Sequence, residues 1–507
     1  MTSVSEAGMP TLGVLLEGIA ERGAWRSRAE CPVAGVFDDS RKVLPGGIFV
    51  ALNGTRLDGR RFVGEALRRG ALAIVGEQLE PGADALVLNV KDSRTALAKL
   101  ASRWHGLDQR IGRDLKLLGV TGTNGKSTTA QMTRAILRAA GLRCGMLGTV
   151  QHDLGARTVT SEMTTPGPVE LASYLRECAE ASVNAVVMEV SSHALDQRRT
   201  SGVRFAAAAF TNLTQDHLDY HETMKRYAEA KARLFAELDS NAVAVVNADD
   251  PLHERMIRDC RAKVLTYGIA CDADLSASMV RDTIDGTKYR MCVAGHLLAL
   301  DNALIGRHNV YNALAAAGLG HALGASPSDI QSGLESVRNI PGRLQRVCAK
   351  QGVGVFVDYA HTPDALSNVV GVLRRLTKGR LIVVFGCGGD RDRAKRPKMG
   401  ARVAQSADIS IVTSDNPRSE DPQRIIEEIL PGFGKSARAR VVVEPDRRAA
   451  IEDALRRAQP GDSVLIAGKG HETYQVVGDE KRRFDDVEVA IQACAALGGN
   501  GQRSDKA

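Results

Sequence analysis

The fold class follows from residues 115–127, LKLLGVTGTNGKS. The apolar run 115–120 predicts a short buried strand, and residues from about 127 to 140 predict a helix. The glycines between them predict a loop whose backbone N–H groups, with the helix N-terminus, bind an anion. This strand–loop–helix order is typical of a phosphate-binding domain built on a parallel sheet.

Two side chains give this loop its chemistry. Lys126 would reach the β- and γ-phosphates of a nucleotide, and the Ser127 hydroxyl would bind Mg²⁺. The strict pattern GxxxxGK[ST] is not met, because Val120 stands where the first glycine is required and Gly122 is the glycine present. The alternative is a plain turn with an N-cap serine. The strand before the loop and the helix after it favour phosphate binding.

Strand and helix patterns alternate along the rest of the chain. Buried strands are predicted at 185–190, 206–210 and 242–247, separated by helices, which indicates a parallel sheet covered on both faces. The first ~110 residues predict a smaller α/β domain, and a second doubly wound unit restarts after residue 343. We therefore predict an α/β protein of three domains: 1–111, 112–341 and 342–507.

Composition excludes several classes of protein. Of the 507 residues 44% are hydrophobic and 25% charged, as in soluble globular proteins. The net charge of +7 is mild for this length and suits an anionic small molecule. Aromatic residues make up only 4% and no basic block occurs, so we expect no nucleic-acid partner. No apolar run reaches about 18 residues and no signal sequence is evident, which predicts a cytoplasmic protein without a membrane span.

The cysteines do not form a recognisable pattern. Nine are scattered along the chain and none is spaced as CxxC. This argues against a disulfide framework and against a structural zinc site. We expect single, buried thiols.

Polar side chains follow two of the predicted strands. Glu189 ends one strand and could hold a hard cation, although it could equally cap the next turn. His217 and His221 follow another strand with Asp216 and Asp219. A zinc pair is one interpretation of the two histidines, but no third ligand has suitable spacing, and such a pair is more often structural.

The TGTNGKS loop resembles that of the Mur ligase family, which also includes folylpolyglutamate synthetases. The resemblance runs from about residue 37 to residue 485, with the motifs in the expected order. It implies a small UDP-binding N-terminal domain, a central ATPase domain and a Rossmann-like C-terminal domain that binds an amino acid. It also implies ATP as co-substrate and Mg²⁺ as cofactor.

The resemblance assigns catalytic and metal-binding roles to four residues. Ser127, Glu189 and His217 match positions that hold Mg²⁺. Lys231 matches a lysine that becomes carbamylated (N6-carboxylysine) and steadies a second metal, whereas from the sequence alone it is an ordinary helix lysine. Lys126, His217 and Lys231 are then the catalytic residues.

Two further sets come from the same resemblance. The expected ATP-binding residues are Gly122, Thr123, Asn124, Gly125, Lys126, Ser127, Thr128, Asn309, Arg343 and Asp358. The expected residues for the UDP-muramoyl peptide are Asp38, Ser40, Thr55, Arg56, Leu57, Met163, Thr164, Thr165, Ser191, Gln197 and Arg199. Their hydroxyl, amide and guanidinium groups suit phosphate, sugar and carboxylate.

Three C-terminal loops follow predicted strands, where open α/β sheets bind ligands. Residues 415–418, DNPR, are similar to the motif of the diaminopimelate-adding members of the family. Arg418 and Arg391 would pair with the distal carboxylate of diaminopimelate, and Glu472 with its ammonium. The expected diaminopimelate-binding residues are Arg391, Asp415, Asn416, Pro417, Arg418, Gly468 and Glu472.

The resemblance thus implies a monomeric, ATP-dependent amide-bond ligase of peptidoglycan biosynthesis, and hence a role in cell shape and division. It would add meso-diaminopimelate to the D-glutamate of UDP-N-acetylmuramoyl-L-alanyl-D-glutamate through an acyl phosphate. Related ligases that add L-lysine, D-alanyl-D-alanine or polyglutamate are alternatives, as is a nucleotide-dependent switch. The DNPR arginine counts against the first group, and Glu189, His217 and Lys231 count against the switch.

Overall fold

The computed structural model describes residues 8–54, 57–80, 86–350, 352–435 and 437–499. It confirms the α/β class, with sheets of four, eleven and six strands and one two-stranded hairpin. No helix within these residues is long and apolar enough to cross a bilayer. Thr55 and Arg56, which the sequence places at the carrier site, lie outside the described residues.

The N-terminal region forms a four-stranded parallel sheet in the order β1-β2-β3-β4. The short apolar strands β2 and β3 are fully buried, as the sequence predicts for an interior sheet. Its elements are α1 Leu12–Leu16, α2 Arg22–Trp25, β1 Val36–Phe37, β2 Ile48–Ala51, α3 Val63–Arg68, β3 Ala73–Gly76, β4 Leu86–Asn89, α4 Ser93–Trp104 and α5 Leu107–Arg110.

The central region contains the eleven-stranded sheet, in the order β15-β14-β13-β12-β11-β10-β5-β9-β6-β7-β8. Its elements are β5 Lys116–Thr121, α6 Lys126–Ala139, β6 Cys144–Leu147, β7 Gln151–Asp153, β8 Thr158–Thr160, α7 Pro168–Glu180, β9 Ala185–Glu189, α8 Ser192–Asp196, β10 Ala207–Phe210, α9 Leu218–His221, α10 Met224–Ala236, β11 Val243–Asn247, α11 His253–Ile257, β12 Lys263–Gly268, β13 Leu275–Thr283, β14 Gly286–Val293, β15 His296–Asn302, α12 Arg307–Ala322 and α13 Pro327–Ser336. Strands β10, β5, β9 and β6 are parallel neighbours, so their carboxyl ends share one edge of the sheet.

The C-terminal region is the predicted second doubly wound unit, with the order β16-β17-β21-β18-β19-β20. Its elements are β16 Gln345–Lys350, β17 Val353–Asp358, α14 Pro363–Leu376, β18 Leu381–Phe385, α15 Lys395–Ala404, β19 Ile409–Val412, α16 Pro422–Ile429, β20 Val441–Val443, α17 Arg447–Arg457, β21 Ser463–Ala467, β22 Tyr474–Val477, β23 Glu480–Arg483 and α18 Asp486–Gly499. Alternate residues of β18 enter two different apolar cores, which shows that both faces of the sheet are covered.

Contacts divide the chain into two compact units. The first comprises residues up to Ser278 with Arg290–Ala299 and Tyr311–Ser336, and the second comprises Met279–Tyr289, Leu300–Val310 and the residues from Val337 onward. The first unit holds the N-terminal sheet and the glycine loop. The three domain boundaries at 1–111, 112–341 and 342–507 stay a prediction.

One expectation about the cysteines is wrong. Seven described cysteines are free, but Cys494, on α18, is disulfide-bonded. The scattered spacing of the cysteines gave no signal of this bond, because strand and helix packing brings together residues that are far apart in sequence.

A fully buried ion pair fixes the last helices to the C-terminal sheet. Arg447 donates to both carboxylate oxygens of Asp486, at 2.7 and 2.6 Å, and neither side chain has any exposed surface. The same guanidinium donates to the carbonyls of Ser414 and Ala467, just past β19 and at the end of β21. Arg447 therefore anchors two of the loops that carry predicted site residues.

Substitution of Arg447 by Met should lower the free energy of unfolding of the second unit by about 3–5 kcal/mol, because Asp486 is left buried without its cation. Urea denaturation followed by circular dichroism measures the loss. The matched control is Arg448→Met, which removes the exposed neighbouring arginine that donates to Gln492. Equal losses in the two variants would contradict this role of the buried pair.

Candidate active site

The glycine loop joins β5 to α6 and needs glycine at two positions. Gly122 has φ +149°, and a Cβ there would lie 1.8 Å from Oγ1 of Thr211. Gly125 has φ +87°, and a Cβ there would lie 2.3 Å from Oδ1 of Asn312. These glycines let the loop close tightly before the N-terminus of α6, where anions bind. Val120, which stands where the strict motif has glycine, is the last but one residue of the buried strand β5 and precedes the tight part of the loop.

Two lysines converge on the loop. Lys126 Nζ donates to the carbonyls of Gly122 and Thr123 at 3.0 and 2.8 Å. Lys231 Nζ, from α10, donates to the same Gly122 carbonyl at 2.7 Å. Lys126 and Lys231 are 105 residues apart in the sequence, and the fold brings both amines to the carbonyl oxygen of Gly122.

A buried carboxylate lies beside the loop. Glu189, at the end of β9, is 1% exposed and accepts from the Ser127 hydroxyl at 2.8 Å. Thr149, which follows β6, donates to it through its backbone N–H and its hydroxyl at 2.9 and 3.0 Å. Carboxylate and hydroxyl oxygens are the donors that a hard cation prefers, so this set fits Mg²⁺. The sequence did not single out Thr149; its position just past a strand of the same sheet was the available signal.

Lys231 lies in an unusual environment for a lysine. Its side chain is 1% exposed, and its Nζ lies 4.7 Å from the centre of the Tyr227 ring. Burial, and then the nearby Lys126 cation, hold the pKa of Lys231 well below its usual value. This shift favours the neutral, nucleophilic form of the amine.

His217 also lies near the Tyr227 ring. It precedes α9 with φ +53°, and its ring centre lies 6.1 Å from that of Tyr227 and 4.8 Å from that of His193. Partial burial, despite the nearby Asp216 carboxylate, lowers the pKa of His217, which favours the neutral imidazole that binds metals. His221, four residues further along the chain, instead forms a hydrogen bond of 2.9 Å with the Ser192 hydroxyl. Across the described residues, no three His, Cys, Asp or Glu side chains form a metal-binding group.

Arg199 gathers the predicted carrier residues next to Glu189. It donates to the Thr165 carbonyl at 2.8 Å, the Gln197 amide oxygen at 2.7 Å and the Met163 sulfur at 3.3 Å. The Thr165 hydroxyl donates to the Glu189 carbonyl and lies 3.4 Å from that of Ser191. Thr164 lies 3.2 Å from the Thr149 hydroxyl.

A pocket of about 650 Å³, which shares Met163 with the Arg199 group, lies in the first unit. Its walls include Phe37, Phe49 and Phe62, with the basic residues Arg41 and Lys42. Four predicted carrier residues also line it: Asp38, Ser40, Leu57 and Met163.

The second unit contains the other predicted ATP residues. Asp358, at the end of β17, accepts from the backbone N–H groups of Leu344 and Ala360. Burial raises its pKa, whereas Arg343 and these two N–H groups oppose the rise. Arg343 lies over the Tyr359 ring at 5.2 Å, and Asn309 Nδ2 donates to the Ile305 carbonyl at 2.9 Å.

The three C-terminal loops meet in the second unit. Asn416 Nδ2 donates to Glu472 at 2.8 Å, and a Cβ on Gly468 would lie 2.6 Å from a carboxylate oxygen of Asp415. A Cβ on Gly388 would lie 3.0 Å from Nη1 of Arg418 and 3.8 Å from Cγ of Arg391. Both predicted arginines are thus close together, and Pro417 continues the same loop.

The backbone of the DNPR loop is fixed by the β22–β23 hairpin. Arg418 has φ +52°, its N–H donates to the Val476 carbonyl at 3.0 Å, and its carbonyl accepts from Gly478 at 2.7 Å. Its Nη1 donates to the Gly389 carbonyl at 2.7 Å. The hairpin was not predicted from the sequence, and its backbone bonds hold the DNPR loop in place.

The sequence matches three Mur ligase domain families. Residues 32–105 match the Mur ligase family catalytic domain, 120–320 the Mur ligase middle domain, and 342–470 the Mur ligase glutamate ligase domain. Together these matches cover most of the chain. The protein belongs to the Mur ligase family and is a ligase.

Similar ligases of known name indicate which members of the family this chain resembles. The chain is 43% identical over 463 residues to the UDP-N-acetylmuramoyl-L-alanyl-D-glutamate–2,6-diaminopimelate ligase of Syntrophomonas wolfei, covering 91% of this chain and 94% of that one. It is 44% identical over 474 residues to the ligase of the same name from Solibacter usitatus, covering 93% and 95%. A solved structure of a ligase with this name superposes with a TM-score of 0.71 at 33% identity, covering 95% of this chain and 99% of that one.

The pKa of Lys231 has a consequence for stability. In the unfolded chain its amine has a pKa near 10.4, whereas burial holds the pKa of the folded amine well below that value. The unfolded state then binds more protons, so wild-type stability falls as pH falls from about 10 towards the folded-state pKa. Lys231→Met has no such amine. The free energy of unfolding of Lys231→Met should therefore rise relative to that of the wild type as pH falls.

Urea titrations between about pH 6 and pH 9 in CO₂-free buffer measure this shift. Lys225→Met is the matched control, because Lys225 is exposed on the same helix. A difference between Lys231→Met and wild type that is constant over the pH range would mean that Lys231 is protonated in the folded protein.

Proposed function

We propose that this protein adds meso-2,6-diaminopimelate to the D-glutamate of UDP-N-acetylmuramoyl-L-alanyl-D-glutamate, with ATP as co-substrate, in peptidoglycan synthesis. One observation carries the choice of acceptor. In the loops after β18, β19 and β21, Arg418 and Arg391 both lie close to Gly388, and Asn416, two residues before Arg418, donates to Glu472. Both signs of charge are thus present in these loops for an amino-acid end group. The names of the relatives agree with this acceptor.

ATP would bind over residues 122–128, with Lys126 on its phosphates. Asn309, Arg343 and Asp358 would supply further contacts to the nucleotide. The buried oxygens of Ser127 and Glu189, with His217, would hold Mg²⁺, which when bound offsets phosphate charge. Lys231 would add CO₂ to its neutral amine, losing one proton and gaining a carbamate oxygen ligand for a second metal; its low pKa supports this.

The carrier would place its uridine diphosphate in the pocket lined by Asp38, Ser40 and Leu57, with Thr55 and Arg56 also assigned to it. Its peptide end would lie along the residues gathered by Arg199, which also contact Glu189. The D-glutamate carboxylate would therefore lie near the phosphate loop. We also propose that the protein is cytoplasmic and monomeric.

In the proposed reaction the D-glutamate carboxylate oxygen attacks the γ-phosphorus and ADP leaves. Lys126 stabilises the charge that develops on the phosphoryl oxygens. The diaminopimelate amine, in its neutral form, then attacks the acyl carbon and the C–N bond forms. The bond between the acyl carbon and the bridging oxygen breaks, inorganic phosphate leaves with that oxygen and its electron pair, and the nitrogen releases one proton to solvent. Arg418, Arg391 and Glu472 orient the far end of the acceptor and so select it.

Phosphate release from ATP tests this assignment. The purified protein receives UDP-N-acetylmuramoyl-L-alanyl-D-glutamate with either meso-diaminopimelate or L-lysine. We expect release with diaminopimelate only. Release with L-lysine instead would retain the ligase and overturn the acceptor, and release without any amino acid would indicate a nucleotide switch.

Lys126→Ala should lower turnover by about a hundredfold or more, because a cation next to the transferred phosphoryl group is lost. Steady-state phosphate release measures the effect, with thermal unfolding to confirm that the fold persists. Lys116→Ala is the matched control, because this exposed lysine is the first residue of β5, the strand that leads into the glycine loop, and lies at the end of that strand away from the loop. Near-normal turnover of Lys126→Ala would reject its role.

Arg418→Lys should raise the KM for diaminopimelate about tenfold to a hundredfold, since a lysine cannot form the two-pronged contact with a carboxylate. The KM for ATP should change little. Arg424→Lys, an exposed arginine on α16, serves as control. An unchanged KM for diaminopimelate in Arg418→Lys would remove Arg418 from acceptor selection.

A further inference from the structure

A buried lysine lies behind the proposed amino-acid pocket of the second unit. Lys469, in the loop after β21, has no exposed surface. Its Nζ donates to Asn416 Oδ1 at 3.2 Å and to Glu472 Oε2 at 3.1 Å. The resemblance to the Mur ligase family assigns Gly468 and Glu472 in this loop to the acceptor and gives Lys469 no role.

The bonds around Lys469 fix the orientation of the Asn416 amide. Asn416 Oδ1 accepts from Lys469 and from the backbone N–H of Val476 at 2.9 Å. Its Nδ2 then faces Glu472 and donates to Oε2 at 2.8 Å. An amide turned by 180° would set Nδ2 against two donors, so the observed orientation is strongly preferred.

The same bonds determine which oxygen of Glu472 can receive a ligand. Lys469 and Asn416 both occupy Oε2, and no hydrogen bond from another described residue engages Oε1. The Glu472 side chain is 18% exposed, whereas that of Lys469 is 0% exposed. Oε1 is therefore the Glu472 oxygen that receives no donor from the described residues, while Lys469 is fully buried next to Oε2.

We infer that Lys469 is a positioning residue for the acceptor amino acid: it aligns Asn416 and Glu472 so that Oε1 meets the ammonium group of the ligand. This inference rests on the proposed function. Lys469 is 0% exposed and acts through its two partners, so it orients the pocket without contacting the ligand. Without the lysine, Glu472 would gain rotational freedom and Asn416 could turn its amide.

The test replaces Lys469 with Met, which fills a similar volume without donors, and with Gln, whose uncharged amide NH₂ group can still donate. In Lys469→Met the KM for diaminopimelate should rise about tenfold to a hundredfold, the KM for ATP should stay near wild type, and Lys469→Gln should lie between. Thermal unfolding of each variant checks that the fold is intact.

Lys481→Met is the matched control. Lys481 and Lys469 both lie over the Tyr474 ring, at 3.7 and 5.5 Å, but Lys481 is exposed and is not among the donors to Asn416 and Glu472. Its removal should leave both KM values unchanged. An equal rise in Lys481→Met would attribute the effect to Tyr474 and overturn the inference.

A double-variant cycle separates positioning from simple support. If Lys469 acts through Glu472, then Lys469→Met should raise the KM for diaminopimelate much less in a protein that already carries Glu472→Gln than in the wild type. Additive effects would overturn the inference. If Lys469→Met fails to fold, the same cycle is run with Lys469→Gln. Absence of ligation by the wild type would instead reject the proposed function, so the two failures are distinguishable.

Discussion

The carboxyl ends of neighbouring parallel strands lie at the same edge of a sheet, and the candidate sites of this protein depend on that constraint. In the first unit β5, β9, β10 and β6 are neighbours, so the glycine loop, Glu189 and Thr149 meet although they are far apart in sequence. In the second unit β17, β21, β18 and β19 bring their loops together in the same way. Apolar strands covered on both faces make this arrangement rigid.

Burial gives the charged groups at these edges their special properties. A lysine in water is a cation, whereas Lys231 has so little solvent that its proton is readily lost. Lys469 is equally buried but lies against a carboxylate and an amide oxygen, which supply the contacts that water would otherwise provide. The same residue type thus serves two different purposes, and the surrounding side chains decide which.

The sequence predicted the strands well because their apolar runs are continuous: strands were predicted at residues 115–120 and 185–190 and are found at Lys116–Thr121 and Ala185–Glu189. It also located the glycine loop and the loops after the strands. It did not reveal Thr149, Lys469, the β22–β23 hairpin or the Cys494 disulfide. Each of these depends on contacts between distant segments, and neither hydrophobic period nor local motif encodes such contacts. The burial of Lys231 was likewise invisible on an amphipathic helix.

The attachment of the DNPR loop to the hairpin bears on attempts to redesign this enzyme. The backbone of Arg418 adopts a left-handed conformation that most side chains disfavour, and the bonds to Val476 and Gly478 stabilise it. A four-residue motif transplanted into another scaffold would lack those bonds and relax to a different shape. The transferable unit is therefore discontinuous: the loop must travel together with a segment some sixty residues further along the chain, including Val476.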